Sequence, residues 1–178
     1  MSRKHFIHQS QPPRFKCHRY YVFNPLRNPK ELSLTFVAVM LGLFPLAMVE
    51  GLADFSLLAP SFGATALLIF AAPFSRMAQP RNVIGGHMIA AFVGLLLAQF
   101  LPNNPFTQSI AVALAIVMML ITDTAHPPGG ATAFMAFTGG YSWMFLLHPI
   151  LPGALWLVFV GWLIGRISPA RTYPDRTC

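Results

Sequence analysis

The chain has 178 residues, 55% hydrophobic and only 10% charged, with a formal net charge of +7. A soluble domain carries about 25% charged residues, so this composition excludes a water-facing globular fold. Nor does the chain hold a Gly-rich phosphate loop or a Ser/His/Asp or Cys/His signature of a soluble enzyme.

Residues 1–31 read as a basic, Pro-containing cytoplasmic arm. Arg3, Lys4, Arg14, Lys16, Arg19, Arg27 and Lys30 are met by no acid before Glu31, and Pro12, Pro13, Pro25 and Pro29 break any helix there. Contact with anionic lipid or nucleic acid and an organellar transit role are open to such an arm. Setting topology is the simpler reading, and no nucleic-acid partner is expected. Cys17 and Cys178 sit in the two tails with no metal-ligand spacing.

Six apolar segments follow, in a transmembrane domain spanning 32–167. The first, 32–49, is interrupted by Pro45; the second, 61–72, is fenced by Pro60 and Pro73; the third is 83–101. The turn signal Pro102-Asn103-Asn104-Pro105 separates it from the fourth, 106–122. The fifth starts at Gly129 and weakens at Gly139-Gly140, and the sixth, 154–167, follows "HPILPG" and leads to a cytoplasmic tail, 168–178. Asp123 is the sole formal charge between Asn82 and Gly165, with 41 uncharged residues before it and 42 after. A spanning helix needs about 20 apolar residues, so each run holds two elements.

With the arm inside and every segment crossing or dipping, all 12 basic residues fall on the cytoplasmic side, as the positive-inside rule asks. The second and fifth segments are too short for a hydrocarbon core about 30 Å thick. The expected fold is an all-α membrane protein, a compact helical bundle of four full spans plus two short half-helices, with segments one to three and four to six compatible with an inverted 3+3 repeat. The expected location is a bacterial inner (plasma) membrane with both termini cytoplasmic, and a homo-oligomer suits so small a bundle.

The two short segments share a motif. Aligning Pro60 with Pro127 matches Gly63-Ala64-Thr65-Ala66 to Gly130-Ala131-Thr132-Ala133 and Phe70 to Phe137, six identities in eleven positions. Under inverted topology the two helix N-termini meet near the middle of the membrane. Unpaired first-turn N–H groups and the helix dipole favour an anion, glycine admits close approach, and Thr65 and Thr132 add hydroxyl donors. The other reading is a pair of small-residue helix-packing seams.

His126, ahead of Pro127, is either a proton-titrating or anion-contacting residue tuned by Asp123, or a structural hydrogen bond at the chain break. Asp123 is either its partner or the cap of the next helix. His87, after Gly85-Gly86, either lines the same cavity or is satisfied by a carbonyl. Arg81 and Asn82 belong to a polar cytoplasmic mouth, where Arg81 could attract an anion or simply set topology. Trp143, Trp156 and Trp162 read as packing or interface anchors. A metal site built on His87, His126 and Asp123 wants more clustered ligands than the chain offers, so no metal or cofactor is expected.

Three stretches together resemble the HPP family of integral membrane proteins: "SFGATALLIFAAPFSRMAQPRNVIGGH" (Ser61–His87), "TDTAHPPGGATA" (Thr122–Ala133) and, by hydropathy, "PGALWLVFVGWLIGR" (Pro152–Arg166). The resemblance implies a compact bundle, usually of four spans, and a link to nitrite transport seen in plastid and cyanobacterial members. Some members carry C-terminal CBS domains, and the short tail here leads us to expect none. The expected function is a non-enzymatic transporter or channel for a small monovalent anion, with nitrite the best guess, embedded in the lipid bilayer. The alternative is a non-transporting membrane scaffold.

Overall fold

The computed structural model describes residues 28–50, 60–168 and 171–175. Most of the basic arm, Asp54, Arg176 and both cysteines lie outside the described residues. Six α-helices are present, with no strand among the described residues: α1 (Pro29–Glu50), α2 (Pro60–Ala71), α3 (Pro80–Ala98), α4 (Pro105–Ile121), α5 (Gly129–Thr138) and α6 (Leu151–Ile167). A short 3-10 turn, Arg76–Ala78, sits between α2 and α3, and a π-helical turn, Leu146–Ile150, leads into α6 with a kink at His148.

Three stretches are long and apolar enough to cross a membrane: Pro29–Met48, Pro80–Ala98 and Leu146–Ile167. α4 was expected as a fourth full span, but its 17 residues reach only roughly 26 Å at 1.5 Å per residue. Its ends are well defined. Asn104 caps α4, accepting from the N–H groups of Phe106 (3.0 Å) and Thr107 (3.1 Å), while the Thr107 hydroxyl accepts from the Asn104 N–H at 3.2 Å. This is a capping box with proline in the first helical position. At the far end Asp123 adopts φ +56°, with Thr124 N–H bonded to the Met119 carbonyl and Asp123 N–H to that of Leu120. That is a Schellman stop. Asp123 therefore ends α4 and does not cap α5, whose preceding residue is Pro128, with no side-chain cap.

Two prolines behave differently from expectation. Pro29 opens α1, because the first helical position loses no hydrogen bond to a missing N–H. Pro45 lies inside α1 without ending it. The carbonyl it leaves unpaired, that of Leu41, accepts instead from Trp156 Nε1 of α6 at 3.2 Å. A neighbouring helix thus supplies the bond the proline removes, which is what makes proline tolerable within a span.

α3 is the axis of the bundle, burying Asn82, Val83, Gly86, His87, Ala90, Ala91, Val93, Gly94 and Leu95. It packs on α4, α5 and α6, while α1 packs on α2 and α6. Outward positions carry large apolar side chains such as Phe36, Phe106, Leu120 and Ile121. That surface suits lipid and would be an aggregation patch in water. The tail is packed, not free. Arg171 is buried and bonds Glu31 Oε2 (2.7 Å), the Glu31 carbonyl (2.7 Å), Thr35 Oγ1 (2.6 Å) and the Phe70 carbonyl (3.0 Å). A Cβ at Gly165 would stand 2.9 Å from the Arg171 carbonyl oxygen, so α6 needs glycine for the tail to lie against it.

Candidate functional site

Three helices and the stretch between α4 and α5 deliver four polar side chains to one buried point. His87 sits near the middle of α3, fully buried. Its Nε2 lies 2.8 Å from Thr65 Oγ1 of α2, and its Nδ1 lies 2.8 Å from Thr132 Oγ1 of α5. His126 Nε2 also meets Thr65 Oγ1, at 2.9 Å, and His126 Nδ1 meets the Met77 carbonyl at 2.8 Å. The imidazoles stand edge to face with centroids 4.8 Å apart, and Phe62 closes the other side of His87 at 5.1 Å. The result is a continuous chain: Met77 carbonyl, His126, Thr65, His87, Thr132.

The local sequence explains the convergence. His126 precedes two prolines, which hold it outside helical geometry, and the Ala125 carbonyl is gripped by Asn82 Nδ2 at 2.9 Å. Gly86 gives this stretch room on α3. A Cβ there would stand 2.5 Å from His126 Cβ and 2.9 Å from the Thr124 carbonyl oxygen. The two repeat copies also match in burial, position by position from Pro60 to Phe70 and from Pro127 to Phe137. Thr65 and Thr132 face in, and Ala64 and Ala131 face out.

Several expectations change. Gly63, Ala64, Gly130 and Ala131 are not brought to the buried point. A Cβ at Gly63 would meet nothing within 4 Å, and one at Gly130 only Val112 at 3.7 Å. These glycines therefore form no tight seam within the bundle. One close approach to the second copy falls instead at Gly94 of α3, where a Cβ would stand 2.5 Å from the carbonyl oxygen of Ala133. The first two amides of α5 are not open either, since Gly129 N–H bonds the His126 carbonyl (2.8 Å) and Gly130 N–H that of Pro127 (3.1 Å).

Asp123 is not the partner of His126, whose two ring nitrogens are both taken. Its carboxylate is exposed and accepts from Arg76 and, at 3.3 Å, from Arg81. Arg81 also bonds the Thr122 carbonyl at 3.1 Å. Arg76 and Arg81 meet Asp123 in one exposed ion-pair cluster, while Asn82 holds the His126 stretch in place.

The family model for the HPP transmembrane region matches residues 24–174. The chain belongs to the HPP family. Among curated proteins, a transmembrane protein of Dictyostelium discoideum is 35% identical over 162 residues, covering 84% of this chain and 57% of its own length. A second from the same organism is 33% identical over 159 residues, covering 82% of this chain and 50% of its own. The chain thus spans about half the length of these relatives. No solved structure matches it.

The histidine for which the HPP family is named is the one bonded to Met77 and Thr65. Sequence reasoning missed two participants. Met77 contributes a main-chain carbonyl, invisible to residue identity. Ser61, one turn before Thr65, is fully buried, and its Oγ has no hydrogen-bond partner. Its place beside Pro60 at the start of a short apolar helix was the available signal.

Proposed function

We propose that this membrane protein carries a small monovalent anion across the bilayer, and that the anion passes where α2 and α5 meet His87. The observation that carries this reading is the convergence of Thr65 and Thr132, from the N-terminal halves of two helices too short to span, on one imidazole buried midway along a spanning helix. Hydroxyl and imidazole groups become donors to an anion when they exchange a bond to one another for a bond to it, as the Thr132 hydroxyl would by turning from His87 Nδ1. Among the described residues, no carboxylate joins them at that point. The unpartnered Ser61 hydroxyl supports the same reading, because a buried polar atom without a partner costs about 1–3 kcal/mol and a ligand would satisfy it. At this exposed end Arg76 and Arg81 both meet Asp123, and basic side chains there can draw an anion from solution. Nitrite is the first candidate, drawn from the family resemblance alone.

The packing supports an inverted repeat relating α1, α2 and α3 to α4, α5 and α6. Exchanging the triplets turns α1 on α2 into α4 on α5, α1 on α6 into α4 on α3, and α2 on α6 into α5 on α3, and all six contacts occur. The bodies that rock are therefore α1–α2–α6 and α3–α4–α5, each drawing helices from both triplets. Access alternates at their junction, where Thr65 and Thr132 lie. Purified protein in liposomes should take up labelled nitrite above protein-free liposomes, with other small monovalent anions competing. Uptake at the protein-free level for every anion tried would favour the scaffold reading.

A further inference from the structure

One end of the buried chain sets the hydrogen positions of the rest. The Met77 carbonyl can only accept, so His126 Nδ1 must carry a hydrogen. In neutral His126 the Nε2 is then bare, and the Thr65 hydroxyl must donate to it. With its one hydrogen committed, Thr65 accepts from His87 Nε2–H. The bare His87 Nδ1 in turn receives the Thr132 hydroxyl. Each tautomer follows from one carbonyl.

Thr65 has a second choice. The Ser61 carbonyl lies 2.9 Å from its Oγ1. If His126 gains a second hydrogen at Nε2, that nitrogen becomes a donor. Thr65 Oγ1 then accepts from both imidazoles, and its hydroxyl turns to the Ser61 carbonyl. One N–H bond forms, nothing leaves, and His87 and Thr132 keep their bonds. With a neutral His126 the Ser61 bond is the one forgone; with a cationic His126 all five bonds are made at once.

We propose that His126 is the proton-binding site of the transport cycle, and that the Thr65 hydroxyl accommodates the proton by swinging between His126 and the Ser61 carbonyl. This rests on the reading of the protein as an anion carrier and names its coupling ion. His126 lines a cleft of about 290 Å³ with Met77, Ile116, Met119, Leu120, Ala125 and Pro127, which is ample space for water to deliver a proton. Thr65 of α2, His87 of α3, the Met77 carbonyl and apolar α4 side chains face it, and His87 is the titratable group among them. Arg76 and Arg81 pair with Asp123 at the exposed surface of this end, and Asp175 lies beside Gln79. An imidazolium or an anion alone at this depth is expensive; together they neutralise, so proton and anion move in the same direction, one for one.

The test is nitrogen NMR of histidine-labelled protein in detergent, beside internal pH in liposomes during inward nitrite flux. In alkaline solution His126 should show the Nδ1–H tautomer and His87 the Nε2–H tautomer. On acidification His126 should become doubly protonated first, while His87 keeps its tautomer. Thr65→Ser should preserve this pattern, and Thr65→Val should abolish the single-tautomer preference of His87. Nitrite influx should acidify the lumen in wild type and lose that acidification in His126→Gln. An Nε2–H tautomer for neutral His126, or His87 titrating first, overturns the proposal even if Thr65→Val fails to fold. Nitrite flux without acidification overturns the coupling and leaves the anion carrier standing. The expected tautomers with no flux of any anion overturn the carrier, and with it the coupling role.

Discussion

At the scale of single residues, the bond from Trp156 to the Leu41 carbonyl shows how tertiary structure repairs a local defect. Pro45 removes the donor that Leu41 would use, and Trp156 supplies another from α6. Trp156→Phe keeps an aromatic ring, smaller than the indole, and loses the N–H, leaving a main-chain carbonyl unsatisfied where water is scarce. The loss should be about 1–3 kcal/mol, read as a lower melting temperature in detergent. Trp162→Phe, whose indole lies under the Arg166 guanidinium at 4.8 Å, should change stability by roughly 0.5 kcal/mol or less. Equal effects would contradict this account of Pro45. Neither partner was legible as such: Pro45 reads as a break and Trp156 as an anchor, because nothing local ties position 41 to position 156. That His126 is buried and bonded was legible, since a histidine before two prolines in a nearly uncharged run must find partners, whether for function or to hold the chain break. Its partners were not.

At the scale of elements, the tail is a strap across the end of the bundle. Arg171 ties the start of α1 to the end of α2, and Ser168 Oγ adds a 3.0 Å bond to Glu31 Oε1. With Arg171 and Glu31 side chains only 3% and 14% exposed, removing the cation strands a buried carboxylate. Arg171→Ala should cost about 3–5 kcal/mol, measurable as thermal destabilisation. Further along the strap, the Tyr173 hydroxyl donates to the Ala78 carbonyl at 2.9 Å, and Gln79 Oε1 accepts from Asp175 N–H at 2.9 Å. Both bonds hold the turn that presents the Met77 carbonyl to His126.

Burial pushes the Tyr173 phenol above its ordinary value. The unfolded chain therefore ionises first, at about pH 10. Stability contributed by the neutral phenol is complete below that pH and falls as pH rises beyond it. Alkaline melts should show this decline in wild type, and Tyr173→Phe should flatten it while lowering stability near neutrality. A wild-type curve level above pH 10 would contradict the buried phenol. The helices themselves were legible to within a few residues, because proline, asparagine and glycine mark their ends. The strap was not, because a short polar tail carries no periodicity.

At the scale of the whole molecule, the Gly-Ala-Thr-Ala repeat predicted that two short helices meet, and Thr65 and Thr132 do meet through His87. What periodicity could not tell was which face of each copy turns inward. The glycines suggested a site lined by backbone, yet they lie away from the buried point and the threonines carry the contact. The central claim is that an anion passes this threonine–histidine junction. The most direct test is labelled-nitrite uptake by liposomes containing wild type, Thr132→Ser or Thr132→Val, with detergent melting measured on the same preparations. Thr132→Ser should transport like wild type. Thr132→Val should remain folded and lose one hydrogen bond to a charged ligand, about 1.5–3 kcal/mol, and so bind the anion roughly tenfold or more weakly. Wild-type uptake by folded Thr132→Val would contradict the claim and leave the junction a structural device.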